Sequence, residues 1–299
     1  MEKTEFNKKQ VIKYLVFTFG IAYAIQIIVW LLYSNGQQAI GQLVMAVMMF
    51  VPMLSAFLSG GKFNVMGWKP HIKGNVKSVL IAWFSPMVLT AIGTGLYFAV
   101  FPSHFDLSGG YMMEVAGEDI LKQMEEKGLS YPMLVLISCV SCITYAPLMN
   151  MFFAIGEESG WRGFLYPQLK ARFGKRLGWV IGGIIWGLWH APLIWLIGYE
   201  YGTDYIGFPI LGMFLFCVIT VALGIMCDWL YERSQCIWLP SIFHGSFNAA
   251  ATIPLYITIA NTGSMRLLGS APNGLLASLP IIIFAVIIFI KSENKKVVE

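Results

Sequence analysis

The chain has 299 residues, 57% of them hydrophobic and 12% charged, with a mean hydropathy of +0.68. A soluble domain carries roughly 25% charged residues, so half that charge over long apolar runs excludes a water-soluble globule and places the chain in a bilayer. The net charge of +4 sits in short loops, where lysine and arginine read as orientation signals rather than as a nucleic-acid surface.

A spanning helix needs about 20 mostly apolar residues. In chain order, the first run, 11–33, follows a lysine-bearing N-terminus and is too long for the core of a cleaved signal peptide. Runs at 39–60 and 76–101 follow. The stretch 102–131 is polar, and within 117–128 the placement of Ile120, Leu121 and Met124 predicts a short amphipathic helix, read as a solvated cap on the outer surface. The fourth run, 132–156, contains Pro147, which can kink it. Runs at 177–198, 209–231, 237–260 and 274–290 complete the set. The expected fold class is therefore all-α, a polytopic membrane helix bundle of eight transmembrane helices in a single membrane domain, 1–299, with no internal repeat.

The lysines and arginines set the orientation. The N-terminus has Lys3, Lys8, Lys9 and Lys13. Lys62, Lys69, Lys73 and Lys77 fill the second connection, and Lys170, Arg172, Lys175 and Arg176 the fourth. Arg233 lies in the sixth, and Lys291, Lys295 and Lys296 follow the last run. The alternate connections are poor in positive charge: 102–131 has Asp106, Glu114, Glu118, Asp119, Glu125 and Glu126 against Lys122 and Lys127. Eight spans with both termini in the cytoplasm satisfy every loop. Cys139, Cys142, Cys217, Cys227 and Cys236 lie in or beside spans and read as reduced packing residues rather than a disulfide framework.

Ionisable residues inside spans cost about 2.5–3.5 kcal/mol each on insertion scales, so each needs a reason. Apart from Asp228, near the cytoplasmic end of the sixth span, they fall in three clusters: Glu157, Glu158 and Arg162 at the end of the fourth, His190 with Trp186 in the fifth, and His244 with Asn248 in the seventh. Residues four apart share a helix face, so Glu158 and Arg162 can pair, Trp186 and His190 can point together, and so can His244 and Asn248. Glu157 is rotated by about 100° from Glu158 and can face elsewhere. The fifth helix places His190 roughly 20 Å along from Leu177. The clusters therefore meet only if the fourth helix continues past Glu157 to about Tyr166, or if the fifth begins farther out.

A carboxylate, two imidazoles and a carboxamide around one cavity suit peptide hydrolysis. The carboxylate is a general base for water; imidazole and asparagine N–H groups bind the oxyanion. Two histidines and a glutamate also make a plausible zinc set, Glu157, His190 and His244, although the H-E-x-x-H helix of soluble zinc proteases is absent. The residues permit both a metal-bound and a glutamate-activated water. Buried Glu and His chains also mark ion paths, so a polar-lined transporter competes, as does a non-enzymatic membrane scaffold or immunity protein; no repeated halves or paired broken helices support the transporter.

The motifs E-E-x-x-x-R (157–162), aromatic-x-x-x-H (186–190) and H-x-x-x-N (244–248), in this order on successive apolar helices, resemble the CPBP family. That family comprises CAAX prenyl endopeptidases and bacteriocin-processing or immunity proteins, also called the Abi family. The resemblance covers roughly 149–252, within a family-like core of about 132–260. One departure is Trp186, where the family usually has phenylalanine. The resemblance implies that Glu157 activates water, with Glu158 its neighbour and Arg162 the paired arginine. It further implies that His190 positions that water, that His244 and Asn248 form the oxyanion hole, and that no cofactor is required. The implied partners are the lipid bilayer and a membrane-associated peptide or protein, lipidated or not. The expected location is the cell membrane, with the catalytic residues opening to the cytoplasmic side.

Overall fold

The computed structural model describes residues 5–260 and 262–293; Lys3, Lys295 and Lys296 of the orientation pattern lie outside the described residues. Among the described residues the fold is all helical, with one isolated antiparallel bridge between Phe105 and Thr258. The helices are α1 (Lys8–Ser34), α2 (Gln38–Met48), α3 (Val51–Leu58), α4 (Val76–Val100), α5 (Gly110–Ala116), α6 (Ile120–Glu126), α7 (Tyr131–Ile143) and α8 (Ala146–Gly160). They continue with α9 (Tyr166–Phe173), α10 (Lys175–Trp189), α11 (Ala191–Ile197), α12 (Ile210–Ser234), α13 (Trp238–Ala251), α14 (Ile253–Tyr256) and α15 (Leu275–Lys291).

Each of the eight apolar runs falls on helix, but several are broken. Proline accounts for the breaks, because it lacks an N–H and is accepted in the first turn of a new helix. Pro52 opens α3, Pro147 opens α8, Pro192 opens α11 and Pro254 opens α14. The seventh run accordingly ends its main helix at Ala251, not near residue 260. Among the described residues, five segments are long and apolar enough to cross a membrane: α1, α2–α3, α4, α10–α11 and α12. The bent pair α6–α7, with its 86° angle, would make six. α15 is apolar but has 17 residues, and α8 and α13, which carry polar motifs, have 15 and 14. The amphipathic helix expected at 117–128 is α6, preceded by α5.

α13 sits at the centre, packed on α8, α4 and α12; α10 packs on α12, and α15 on α4 and α12. Close approach is made possible by glycine. A Cβ on Gly245 of α13 would strike the backbone of Pro147 and Met151 in α8, and one on Gly183 of α10 would strike the backbone of Val221 in α12. Small residues of this kind let membrane helices approach to backbone contact. All five cysteines are free thiols.

Candidate active site

The fourth helix does not stop at Glu157. α8 passes through a π-helical turn at Trp161–Leu165 directly into α9, which ends at Gly174. A π turn adds a residue to one turn and re-aims the side chains on either side of it. Of the two geometries open to the sequence, the structure takes the continuing helix, and Glu157 thereby lies abreast of Trp186 and His190.

Glu157 and Glu158 face different partners. Glu157 Oε2 accepts hydrogen bonds from the indoles of Trp186, at 2.6 Å, and Trp161, at 3.2 Å. Glu158 is fully buried, and its Oε1 accepts from Arg162 Nη1 and from His244 Nδ1, each at 2.9 Å. Arg162 is also fully buried, its guanidinium lying 4.6 Å from the Tyr166 ring centroid and 4.7 Å from that of Trp186. The aromatic faces supply the cation with attraction beyond its single carboxylate. The i, i+4 pair was legible in the sequence; His244 as a third member was not, because it joins across 86 residues.

Both histidine tautomers follow from their acceptors. His190 Nδ1 lies 3.0 Å from the carbonyl oxygen of Trp186, which can only accept, so Nδ1 carries the proton and Nε2 holds a lone pair. The ring is fixed between Trp189, Tyr199 and Phe216, with centroid distances of 4.8, 6.1 and 4.9 Å. His244 Nδ1 likewise donates to Glu158, and its ring stands edge-on to Trp186 at 5.2 Å. Trp186 thus donates to Glu157, stacks on Arg162, and supports both imidazoles.

Glu157, His190, His244 and Asn248 all line one cavity of about 330 Å³. Glu158 and Arg162 lie behind it and touch its wall through His244 and Trp186. The cavity also takes in Tyr199, Glu200 and Asn273, which the sequence did not single out. Glu200 sits in a loop, where no helical spacing marks it. Enclosure by the surrounding protein raises its carboxyl above the ordinary carboxylate range, partly offset by hydrogen bonds from Asn273 and Tyr199. Asp228, near the cytoplasmic end of the sixth span, accepts from Lys170 Nζ and from Trp179 Nε1, each at 2.6 Å, away from the cavity.

Among the described residues no three His, Cys, Asp or Glu side chains gather closely enough to hold a metal ion. Glu157, His190 and His244 line one cavity but are not gathered around a single point where an ion could sit.

Residues 139–250 match the family described as Type II CAAX prenyl endopeptidase Rce1-like. Over 120 residues the chain is 31% identical to a protein of Methanococcus maripaludis named CAAX prenyl protease 2, a stretch covering 38% of this chain and 44% of that relative. The chain thus spans less than half the length of the curated relative it matches. Residues 139–250 hold the whole constellation from Glu157 to Asn248, and the two matches bear out the resemblance to the CPBP family read from its motifs.

Proposed function

We propose that the chain is an intramembrane endopeptidase that cuts a membrane-associated peptide or protein with a water activated by Glu157. The observation that carries this reading is the placement of Glu157, His190, His244 and Asn248 on one cavity. The Glu157 oxygen not held by indoles and His190 Nε2 are both acceptors, and a water between them donates one proton to each. Its lone pair is then aimed into the cavity.

Attack on the scissile carbonyl forms a C–O bond while Glu157 takes the water proton. The developing oxyanion receives N–H donors from Asn248 Nδ2 and His244 Nε2, the latter when His244 is protonated against Glu158. In that state two carboxylates, Arg162 and His244 sum to zero charge, which suits a buried layer. Collapse breaks the C–N bond, and Glu157 returns its proton to the leaving amine. The relative's name, CAAX prenyl protease 2, points to a prenylated cysteine motif as one substrate class; lipidated or not, the substrate is held at the membrane. The chain lies in the cell membrane as a multi-pass protein, and no cofactor takes part.

The test is cleavage by Glu157→Gln and His190→Ala in membranes. Loss of turnover by at least a thousandfold, with unchanged elution from a sizing column in detergent, is expected. Retained turnover in both variants removes the reading.

A further inference from the structure

The cavity around Glu157 does not end at the site. Met45, Tyr199, Glu200, Thr252, Leu255 and Asn273 line it and also line a second cavity of about 430 Å³. These six form a neck between the two spaces. The second cavity is a vestibule bounded by the loop after α11, by the segment between α14 and α15, and by α5, whose Glu114 pairs with Arg266 at its rim. In the other direction the site is closed. Trp161, Arg162, Leu165 and Tyr166 are 0% exposed, and the groove beyond them, beside Gly163, Pro167 and Gln168, shares no lining residue with the Glu157 cavity.

The two ends of the molecule differ in charge. The loops at the vestibule end, 102–130, 198–209 and 257–274, hold eight carboxylates, Asp106, Glu114, Glu118, Asp119, Glu125, Glu126, Glu200 and Asp204, against Lys122, Lys127 and Arg266. The opposite end carries the lysine and arginine clusters around Lys62–Lys77 and Lys170–Arg176. By the rule that basic loops stay inside, the vestibule faces outward. The vestibule lining itself carries Glu114, Glu200 and Arg266, with Glu114 paired to Arg266, and the carboxylate-rich loops around it draw cations toward that end. At its neck stands Glu200, with a backbone φ of 67° in the left-handed region that non-glycine residues rarely adopt. Such strain persists where the surroundings fix it, and here Asn273 Nδ2 holds Glu200 Oε2 at 2.6 Å. Asn273 and Tyr199 are neutral, and among the described residues no ion pair reaches Glu200.

We infer that the substrate is a cationic membrane-associated peptide that reaches Glu157 from the carboxylate-rich end, through the neck, with Glu200 receiving a lysine, an arginine or an N-terminal ammonium. This deepens the endopeptidase reading and rests on it. It also reverses the cytoplasmic opening expected from sequence. The apolar run stops at 156, but the helix continues to Phe173, placing Lys170, the first residue of the basic cluster, 13 residues beyond Glu157, roughly 20 Å along the helix.

The route is tested on the full chain with Thr252→Cys at the neck and, as a second variant, Thr262→Cys in the vestibule. A membrane-impermeant maleimide is added to right-side-out spheroplasts and to inverted vesicles, with the parent chain and its native thiols as the blank. Labelling from the right-side-out face is expected; labelling only in inverted vesicles, or from neither face, overturns the route. Charge selection is read as protection of Cys at 252: a lysine–leucine decapeptide slows labelling at least fivefold, a glutamate–leucine decapeptide does not, and Glu200→Gln removes the protection. Equal effects of the two peptides, or undiminished protection in Glu200→Gln, overturn the role of Glu200. Neither measurement requires catalysis, so a chain that labels as expected but cuts nothing removes the endopeptidase reading alone.

Discussion

Trp186 Nε1 donates to Glu157 Oε2 at 2.6 Å, joining α10 to α8 across 29 residues. The bond fixes the carboxylate with Oε2 engaged, which in the proposed reaction leaves Oε1 for water. A hydrogen bond to a charged group contributes about 1.5–3 kcal/mol. Trp186→Phe keeps the aromatic wall and removes the donor, leaving Trp161 alone on Oε2. Turnover per folded enzyme should fall about tenfold or more with little change in KM. A kcat within twofold of the parent would show that the bond shapes the protein and not the reaction.

Glu158 and His244 separate stability from activity. Glu158→Gln leaves Arg162 buried without its counter-charge, a change that costs about 3–5 kcal/mol in buried pairs. The thermal midpoint in detergent should drop steeply. His244→Ala leaves the Arg162–Glu158 pair intact at 2.9 Å and should lower the midpoint much less while abolishing cleavage. Equal destabilisation by both variants would assign His244 a structural role.

Metal dependence is decided by chelation. Incubation of the purified enzyme with 1,10-phenanthroline, followed by its removal, should leave cleavage unchanged. Loss restored by zinc, with metal analysis giving one equivalent bound, would instead assign Glu157, His190 and His244 as ligands brought together on binding.

Gly245 tests the α8–α13 contact on which the site geometry depends. A side chain there meets the backbone of Met151 and Pro147, which cannot move aside as a flexible side chain can. Gly245→Val should therefore fail to accumulate as a monodisperse species. Gly20→Ala, at a helical position with nothing within 4 Å of the added carbon, should be neutral or slightly stabilising, by up to about 1 kcal/mol. Normal folding of Gly245→Val would mean that the two helices are not in backbone contact.

What the sequence made legible was local periodicity. Four-residue spacing foretold that Glu158 would meet Arg162 while Glu157 turned away, because both facts belong to a single helix. The convergence of three helices rested on shared motifs, and the contacts that matter most within it were not legible. The Trp161 indole on Glu157 repeats that four-residue spacing, whereas the Trp186 donor and the Glu158–His244 bond join separate helices and do not follow from spacing along one element. Hydropathy also misjudged the fourth helix. Residues 157–173 contain enough polar side chains to end an apolar run, yet Arg162 and Gln168 are buried against other helices and the segment stays helical. Glu200 escaped notice because a loop residue gains its neighbours only from tertiary structure.

The sealed layer formed by Trp161, Arg162, Leu165 and Tyr166 has a bearing on energy conservation. A water-filled funnel reaching deep into a bilayer invites leakage of protons and salt down their gradients. Beneath Glu157 a travelling ion would meet the Arg162 guanidinium beside the Tyr166 and Trp186 rings, with aromatic and aliphatic bulk around it. If the proposed hydrolysis takes place there, this layer would let water reach Glu157 while the voltage across the bilayer holds.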